Sequence, residues 1–191
     1  MRLEMIALAM LAMAGSAAAE TVRLYAAGSL IAFVVIGAVQ PANAEDAGCS
    51  KFAWALTHEK TLFAAADKRR AEAGAELTSL PAAAVVLGLK PAAQAAFVLP
   101  PERKPRTETW FGGMLRLPAP EAGSYQVTLS EEAWIDVVQD GRYARSIGST
   151  GRSDCSGLRK SVRFELGNSP FIVQLSGVAA EIITLTIRRS E

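Results

Sequence analysis

GSYQVTLS, residues 123–130, is the stretch of sequence that decides the fold. Tyr125, Val127 and Leu129 alternate with polar residues, and a period of two places one apolar face on a core and the other face in solvent. The stretch is therefore predicted to be a β-strand, with Thr128 on its solvent side. The same alternation recurs downstream, at Ala133, Ile135 and Val137 and again at Val162, Phe164 and Leu166.

Turn signals separate these strands. Asp140-Gly141 tolerates the positive φ of a tight hairpin and follows the second apolar run directly. Arg163 lies on the polar side of the third run and is expected to face solvent. Further extended segments are predicted near residues 85–89, 96–99, 110–117, 171–175 and 183–187. About eight short strands at spacings near ten residues predict a mainly β protein, an antiparallel β-sandwich or jelly roll.

One helix is predicted ahead of the strands, over residues 50–66. Ser50 can cap its first turn, and Phe52, Leu56 and Glu59 follow at helical spacing. Residues 67–76 are charged and contain a glycine, so they are expected to form a turn. The segment PPERKPRTE, residues 100–108, has three prolines and five charges and is predicted to be a surface connector.

Two consecutive N-terminal segments have the features of an export signal, which are a cation, an apolar run and small residues. The second segment ends in Ala42-Asn43-Ala44, so residues 1–44 are predicted to be a signal region that is cleaved after Ala44. Residues 45–191 then form a single domain that is periplasmic or secreted. One hypothesis is that synthesis begins at Val22, so that residues 1–21 are an over-extended start of the gene.

Two alternatives at the N-terminus stay open. Residues 26–39 would be a membrane anchor if they were left uncut, although 14 residues fall short of the roughly 20 that span a bilayer. Cleavage leaves no stable membrane span. A lipoprotein is the other alternative, because Ala47-Gly48-Cys49 ends like a lipid-attachment site.

Cys49 and Cys155 are the two cysteines of the chain, and both follow the predicted cleavage point. In an oxidising compartment they are expected to form a disulfide bond. Two free thiols are the alternative. A metal site is disfavoured because two cysteines and one distant histidine lack the spaced ligands of zinc sites.

The sequence contains no signature of a catalytic or cofactor site. His58 is the single histidine, and a net charge of +1 gives no general attraction to nucleic acid. Asp136 and Asp140 are explained by an outward strand position and a turn. No catalytic residue, metal ligand or cofactor is therefore assigned, and no binding of nucleic acid is expected.

A local cluster of positive charge is the one hint of a partner. Residues 142–163 contain one acid, Asp154, and six cations: Arg142, Arg145, Arg152, Arg159, Lys160 and Arg163. This segment could bind an anionic glycan, lipid head groups or an acidic protein, with Trp134, and also Trp110 and Tyr143, as stacking surfaces. The alternative is that the cations are solvated charges that discourage edge pairing of strands.

FGGMLRLPAPEAGSYQVTLSEEAWIDVVQDG, residues 111–141, resembles the strand and turn rhythm of bacterial pre-peptidase C-terminal domains. The chain is also similar to small uncharacterised exported bacterial proteins that place one cysteine after the signal and another before a GLRKSV-type strand. These resemblances imply an exported jelly-roll module, and no family active site comes with them.

These features together favour a non-catalytic exported envelope protein, a disulfide-stapled β-sandwich that binds a protein or an anionic glycan. One alternative is a small periplasmic, hydrolase-like enzyme whose site has no sequence signature. A membrane-anchored adaptor, held by uncleaved residues 26–39, is the second alternative.

Overall fold

Strands dominate residues 44–190, the part of the chain that the computed structural model describes. The predicted signal region lies outside the described residues, except for Ala44. The two α-helices are α1 (Ala44–Cys49) and α2 (Thr57–Ala64). The strands are β1 (Arg69–Glu72), β2 (Val85–Gly88), β3 (Lys90–Pro91), β4 (Phe111–Leu117), β5 (Gly123–Leu129), β6 (Trp134–Gln139), β7 (Arg142–Tyr143), β8 (Ser146–Gly151), β9 (Lys160–Leu166), β10 (Phe171–Val178) and β11 (Ile182–Arg189).

The strands form two sheets. One has six strands in the order β1-β2-β11-β5-β9-β8, and the other has five in the order β3-β4-β10-β6-β7. All neighbours are antiparallel except β1 and β2, which pair in parallel. The prediction of a mainly β protein is confirmed, and the sheets are arranged like a sandwich. The described residues contain eleven strands and not about eight, and β1 replaces the turn predicted over residues 67–76.

The main core lies between the sheets. Val127 of β5 and Phe164 of β9 are 1% and 3% exposed, and they belong to one apolar cluster with Leu115 of β4 and Leu175 of β10. The cluster draws side chains from both sheets, because alternate residues of every long strand point inward. The inward positions predicted from the period-two pattern are therefore confirmed.

The turn between β6 and β7 also forms as predicted. Asp140 and Gly141 have φ values of 52° and 72°, and Gln139 pairs with Arg142 across the hairpin. Both central residues thus adopt the left-handed conformation that a two-residue turn of this kind requires.

The outer face of the six-stranded sheet is not in solvent. Residues 50–64, which we call the N-terminal strap, lie across it. Gln126, Thr128, Ser161 and Thr186 on this face are at most 2% exposed. The expectation that Thr128 faces solvent is wrong, because the strap covers the polar side of β5.

The helix predicted over residues 50–66 is too long. Only α2 is helical within the strap, and residues 50–56 cross the sheet in an irregular conformation. Ser50 donates its hydroxyl to the carbonyl of Ala47 instead of capping a helix, and the Ala53 N–H donates to Thr150 Oγ1 at 3.0 Å. Backbone groups that a helix would use are therefore directed to the sheet.

The outer face of the five-stranded sheet is covered too. Residues 95–106, which we call the proline strap, lie on it. The Gln174 side chain accepts hydrogen bonds from the N–H groups of Val98 and Leu99, at 2.8 and 3.3 Å, and donates to the Leu99 carbonyl at 3.0 Å. The strand expected near residues 96–99 is absent, since these backbone groups bond to a side chain and not to a neighbouring strand.

Within residues 44–190, no helix is both long enough and apolar enough to cross a membrane.

Candidate functional site

Cys49 and Cys155 form a disulfide bond with an S–S distance of 2.01 Å, as predicted. It joins the end of α1 to the loop between β8 and β9. A Cβ atom on Gly48 would lie 2.0 Å from the carbonyl oxygen of Asp154, so glycine is needed for this close approach. The bond belongs to a second, smaller apolar cluster beneath the N-terminal strap, with Phe52, Leu56 and Leu158.

The six predicted cations do not gather on one face. Arg142 lies on β7 of the five-stranded sheet, whereas Lys160 and Arg163 lie on β9 of the six-stranded sheet. Because they are three residues apart on one strand, Lys160 and Arg163 point to opposite faces. The proposed anion site, as a single patch of all six cations with Trp134, is therefore not assembled.

Arg163 is occupied within the molecule. Its guanidinium lies 4.4 Å from the centre of the Trp54 ring, and its Nε donates to Gln126 Oε1 at 3.0 Å. The Trp54 indole in turn donates to Ser161 Oγ at 3.3 Å. The expectation that Arg163 faces solvent is wrong, because its charge helps to hold the N-terminal strap on the sheet.

Lys160 and Trp134 are also engaged with protein groups. Lys160 Nζ lies 4.8 Å from the centre of the Trp134 ring and donates to the Ala133 carbonyl at 2.7 Å. Burial lowers the pKa of Lys160, because it disfavours the charged ammonium. Arg103 of the proline strap lies 4.5 Å from the same ring. Trp134 therefore binds two cations of its own chain, which leaves less of its ring for a sugar.

Asp136 is a buried carboxyl group beneath the proline strap. It is 2% exposed, and it accepts hydrogen bonds from Trp134 Nε1 at 2.6 Å and from the Glu102 N–H at 3.2 Å. Burial raises its pKa to about 6, although both hydrogen bonds act in the opposite direction. Asp136 lies on the outward side of β6, as inferred from the sequence. It is not in solvent, however, because the proline strap covers this face.

Tyr143 anchors the same strap. Its hydroxyl donates to the carbonyl of Pro100, and burial raises its pKa, with smaller contributions from the nearby charges of Asp136 and Glu102. Trp110 stacks on Phe97 with ring centres 6.0 Å apart. Both aromatic side chains therefore make contacts within the fold.

The remaining arginines lie around β8. Arg145, just before the strand, pairs with Glu165 at 3.3 Å, and both side chains are largely exposed. Arg152, just after the strand, donates from Nε to the Lys51 carbonyl at 2.9 Å. Arg159 donates to the Ser153 carbonyl. Arg145 therefore links the start of β8 to β9, whereas Arg152 and Arg159 fix the chain at the end of β8.

The open edge of β8 is the candidate functional site. β8 is the last strand of its sheet, and in the described part of the chain only β9 pairs with it. Its sequence, SIGSTG, has no charge and no proline, and Ile147 is 43% exposed. The sequence pattern does not reveal this strand, because its apolar alternation is weak. The signal that could have found it is an uncharged run between two arginines.

On its outer side, β8 has backbone groups with no partner among the described residues. The Arg152 N–H donates to the Arg159 carbonyl at 2.9 Å, and Thr150 lies opposite Ser161 in the same register. Because bonding alternates along an antiparallel pair, Ser149 and Gly151 direct their N–H and C=O groups away from β9.

Residues considered for catalysis are not brought together. His58 is exposed on α2, above the six-stranded sheet, whereas Asp136 lies on the outer side of the five-stranded sheet and Asp140 in an exposed turn. Between Ala47 and Ser190, no three His, Cys, Asp or Glu side chains are grouped to hold a metal ion.

Two cavities lie on the outer faces of the sheets. One, of about 280 Å³, has Val98, Val138 and Ile172 in its wall beside Arg116. The other, of about 540 Å³, lies beside the disulfide and is lined by Phe52, Trp54 and Leu158.

Comparison with known proteins gives no protein-family model, no curated protein and no solved structure that matches this chain. The resemblance to pre-peptidase C-terminal domains therefore stays a prediction.

Proposed function

We propose that the chain is a non-catalytic, exported envelope protein, a disulfide-stapled β-sandwich that binds a protein partner. The observation that carries the binding role is the open, uncharged edge of β8. The disulfide between Cys49 and Cys155 supports export, because such bonds persist in oxidising compartments. A jelly-roll relationship to exported bacterial modules remains part of this proposal.

An anionic glycan is the less supported partner. Lys160 and Arg163 are engaged with Trp134 and Trp54, so two of the six cations and the main stacking ring serve the fold itself. Arg142 and Arg145 are exposed, so these two arginines are the residues through which a glycan would bind. The enzyme alternative has no comparable support, since His58 and Asp136 lie on opposite sides of the sandwich.

Export is tested by recovering the protein, expressed from its full gene, from a bacterial envelope fraction. Mass spectrometry of that protein is expected to show an N-terminus at Glu45 and one peptide pair linked through Cys49 and Cys155. Recovery in the cytoplasm, with Met1 intact and both thiols open to alkylation, would overturn the proposal. The retained-anchor alternative predicts an oxidised envelope protein in which residues 26–39 are still present.

A further inference from the structure

We propose that β8 is the docking edge for an extended peptide of the partner protein, one whose uncharged strand is flanked by acidic residues. The peptide adds to the six-stranded sheet as a new strand beside β8. This inference rests on the proposed binding role and specifies its site and the chemistry of its ligand.

The other sheet edges are protected in ways that β8 is not. β1 has the sequence RRAE, with three charged residues, and β3 is only Lys90 and Pro91. β7 has two residues and begins with Arg142. Charges, proline and short length are the usual means by which proteins prevent edge pairing. β8 has six residues and lacks charge and proline, so it is the described edge that is suited to accept a strand.

The outward backbone groups of β8 have the two-residue spacing at which an added strand forms hydrogen bonds. Ser149 and Gly151 are two residues apart, about 7 Å along the strand, and both direct N–H and C=O outward. Peptides that add to a sheet edge gain affinity from such main-chain hydrogen bonds and specificity from side chains. Ile147, exposed beside a register irregularity, supplies an apolar contact at one end.

Charge selects the partner. Residues 142–152 contain three arginines and no acid, so β8 has a cation just before it and another just after it. Glu165 and Asp154 lie nearby and pair with Arg145 and Lys51, which reduces the positive charge without reversing it. An extended peptide with acidic residues at both ends complements this distribution.

The same charges argue against a second copy of this chain as the partner. In the two-fold antiparallel register centred on Ser149, Arg145 of one copy lies opposite Ser153 of the other, directly beside Arg152. Each end of such a pair brings arginines of both copies near each other, whereas a peptide with acidic ends brings opposite charges together at both ends.

The binding experiment uses the purified, oxidised protein and a fluorescein-labelled peptide, Asp-Asp-Thr-Val-Thr-Val-Thr-Asp-Asp. A peptide with lysine in place of every aspartate is the control. Fluorescence anisotropy is expected to show saturable binding of the acidic peptide, about tenfold or more tighter than the basic one and weakened by salt.

Ser149→Pro tests the site itself. It removes an N–H that has no acceptor among residues 44–190, and proline is tolerated on the free side of an edge strand. We expect this variant to lose peptide binding, while the matched Ser149→Ala, which keeps the N–H, binds within about twofold of the parent. Thermal unfolding shows whether each variant is folded. Arg145→Glu is a second test that leaves the β8 backbone intact, and it is expected to reduce the preference for the acidic peptide.

Four results would overturn the docking proposal. They are no binding of the acidic peptide, equal binding of the basic peptide, equal binding by Ser149→Pro and Ser149→Ala, or a parent dimer in sedimentation that Ser149→Pro disrupts. The last result would identify a second copy as the occupant. These outcomes do not depend on where the protein is located, so a failure of export and a failure of docking are distinguishable.

Discussion

Asp136 places a carboxyl group where ionisation is unfavourable. The proline strap removes it from water, and its pKa rises to about 6 from an ordinary value of 3.8. Two hydrogen-bond donors, Trp134 and the Glu102 backbone, face it, and Lys160 and Tyr143 are coupled to its charge. The contact between the proline strap and the five-stranded sheet is therefore expected to depend on pH.

The pH dependence of stability has a defined sign. A carboxyl whose folded-state pKa is raised stabilises the fold fully below its unfolded pKa of 3.8, and this contribution is lost as pH rises through about 6. Relative to Asp136→Asn, the parent is thus expected to lose about 2 kcal/mol of unfolding free energy between about pH 4 and pH 7. Urea unfolding of both proteins at several pH values measures this difference. A difference that does not change with pH would contradict the assignment.

At the scale of single residues, the sequence predicts the face of the sheet on which a side chain lies better than it predicts the exposure of that side chain. The period-two pattern correctly placed Val127 and Phe164 in the core, and it correctly placed Thr128 on the opposite side. It failed on exposure, because Thr128 and Asp136 are covered by segments distant in sequence. Alternation identifies the face on which a side chain lies but carries no information about what later packs on that face.

A buried acid helps to hold the N-terminal strap on the six-stranded sheet. Glu59 on α2 is completely buried, and its Oε1 accepts hydrogen bonds from Gln126 at 2.8 Å and from Arg188 at 3.2 Å. The helix itself is short and has no side-chain cap, so contacts with the sheet such as this one stabilise it. Removing one partner of a buried ion pair leaves the other charge uncompensated.

Glu59→Ala is therefore expected to lower the free energy of unfolding by about 3 kcal/mol. His58→Ala is the matched control, since the neighbouring residue is exposed on the same helix, and its effect should stay within about 0.5 kcal/mol. Urea unfolding measures both values. Equal effects of the two substitutions would mean that the ion pair does not hold the strap.

At the scale of elements, strands with strong alternation were predictable and the others were not. Clear apolar repeats occur in β5, β6, β9 and β10. By contrast, β1 consists mostly of charged residues and β8 mostly of small ones, and each forms because it pairs with a neighbouring strand. The helix prediction over residues 50–66 was too long for a related reason. Its first half has helical spacing, but Trp54 and Ala53 bond to the sheet instead.

Across the whole molecule, the disulfide was predictable and the topology was not. Two cysteines after a predicted export signal suffice to suggest a bond. The order of strands, in which β5 lies between β9 and β11, depends on contacts between residues far apart in sequence, which local patterns do not encode. The sheet edges, and with them the candidate site at β8, follow from this order and so could not be located in advance.

The disulfide bond joins α1 to the loop between β8 and β9. Cys49 and Cys155 are 106 residues apart, and cross-linking a loop of this length restricts the unfolded chain strongly. Cys49→Ser or Cys155→Ser is expected to lower the free energy of unfolding by about 2 to 5 kcal/mol, and the double variant by scarcely more, because each change removes the same bond. Urea unfolding of the three variants measures these values. Since the bond lies in the smaller cluster, hydrogen exchange should show protection lost first in residues 49–64, with β5 and β10 still protected. A double variant that loses the sum of the two single effects, or simultaneous loss of protection throughout both sheets, would contradict this account of the bond.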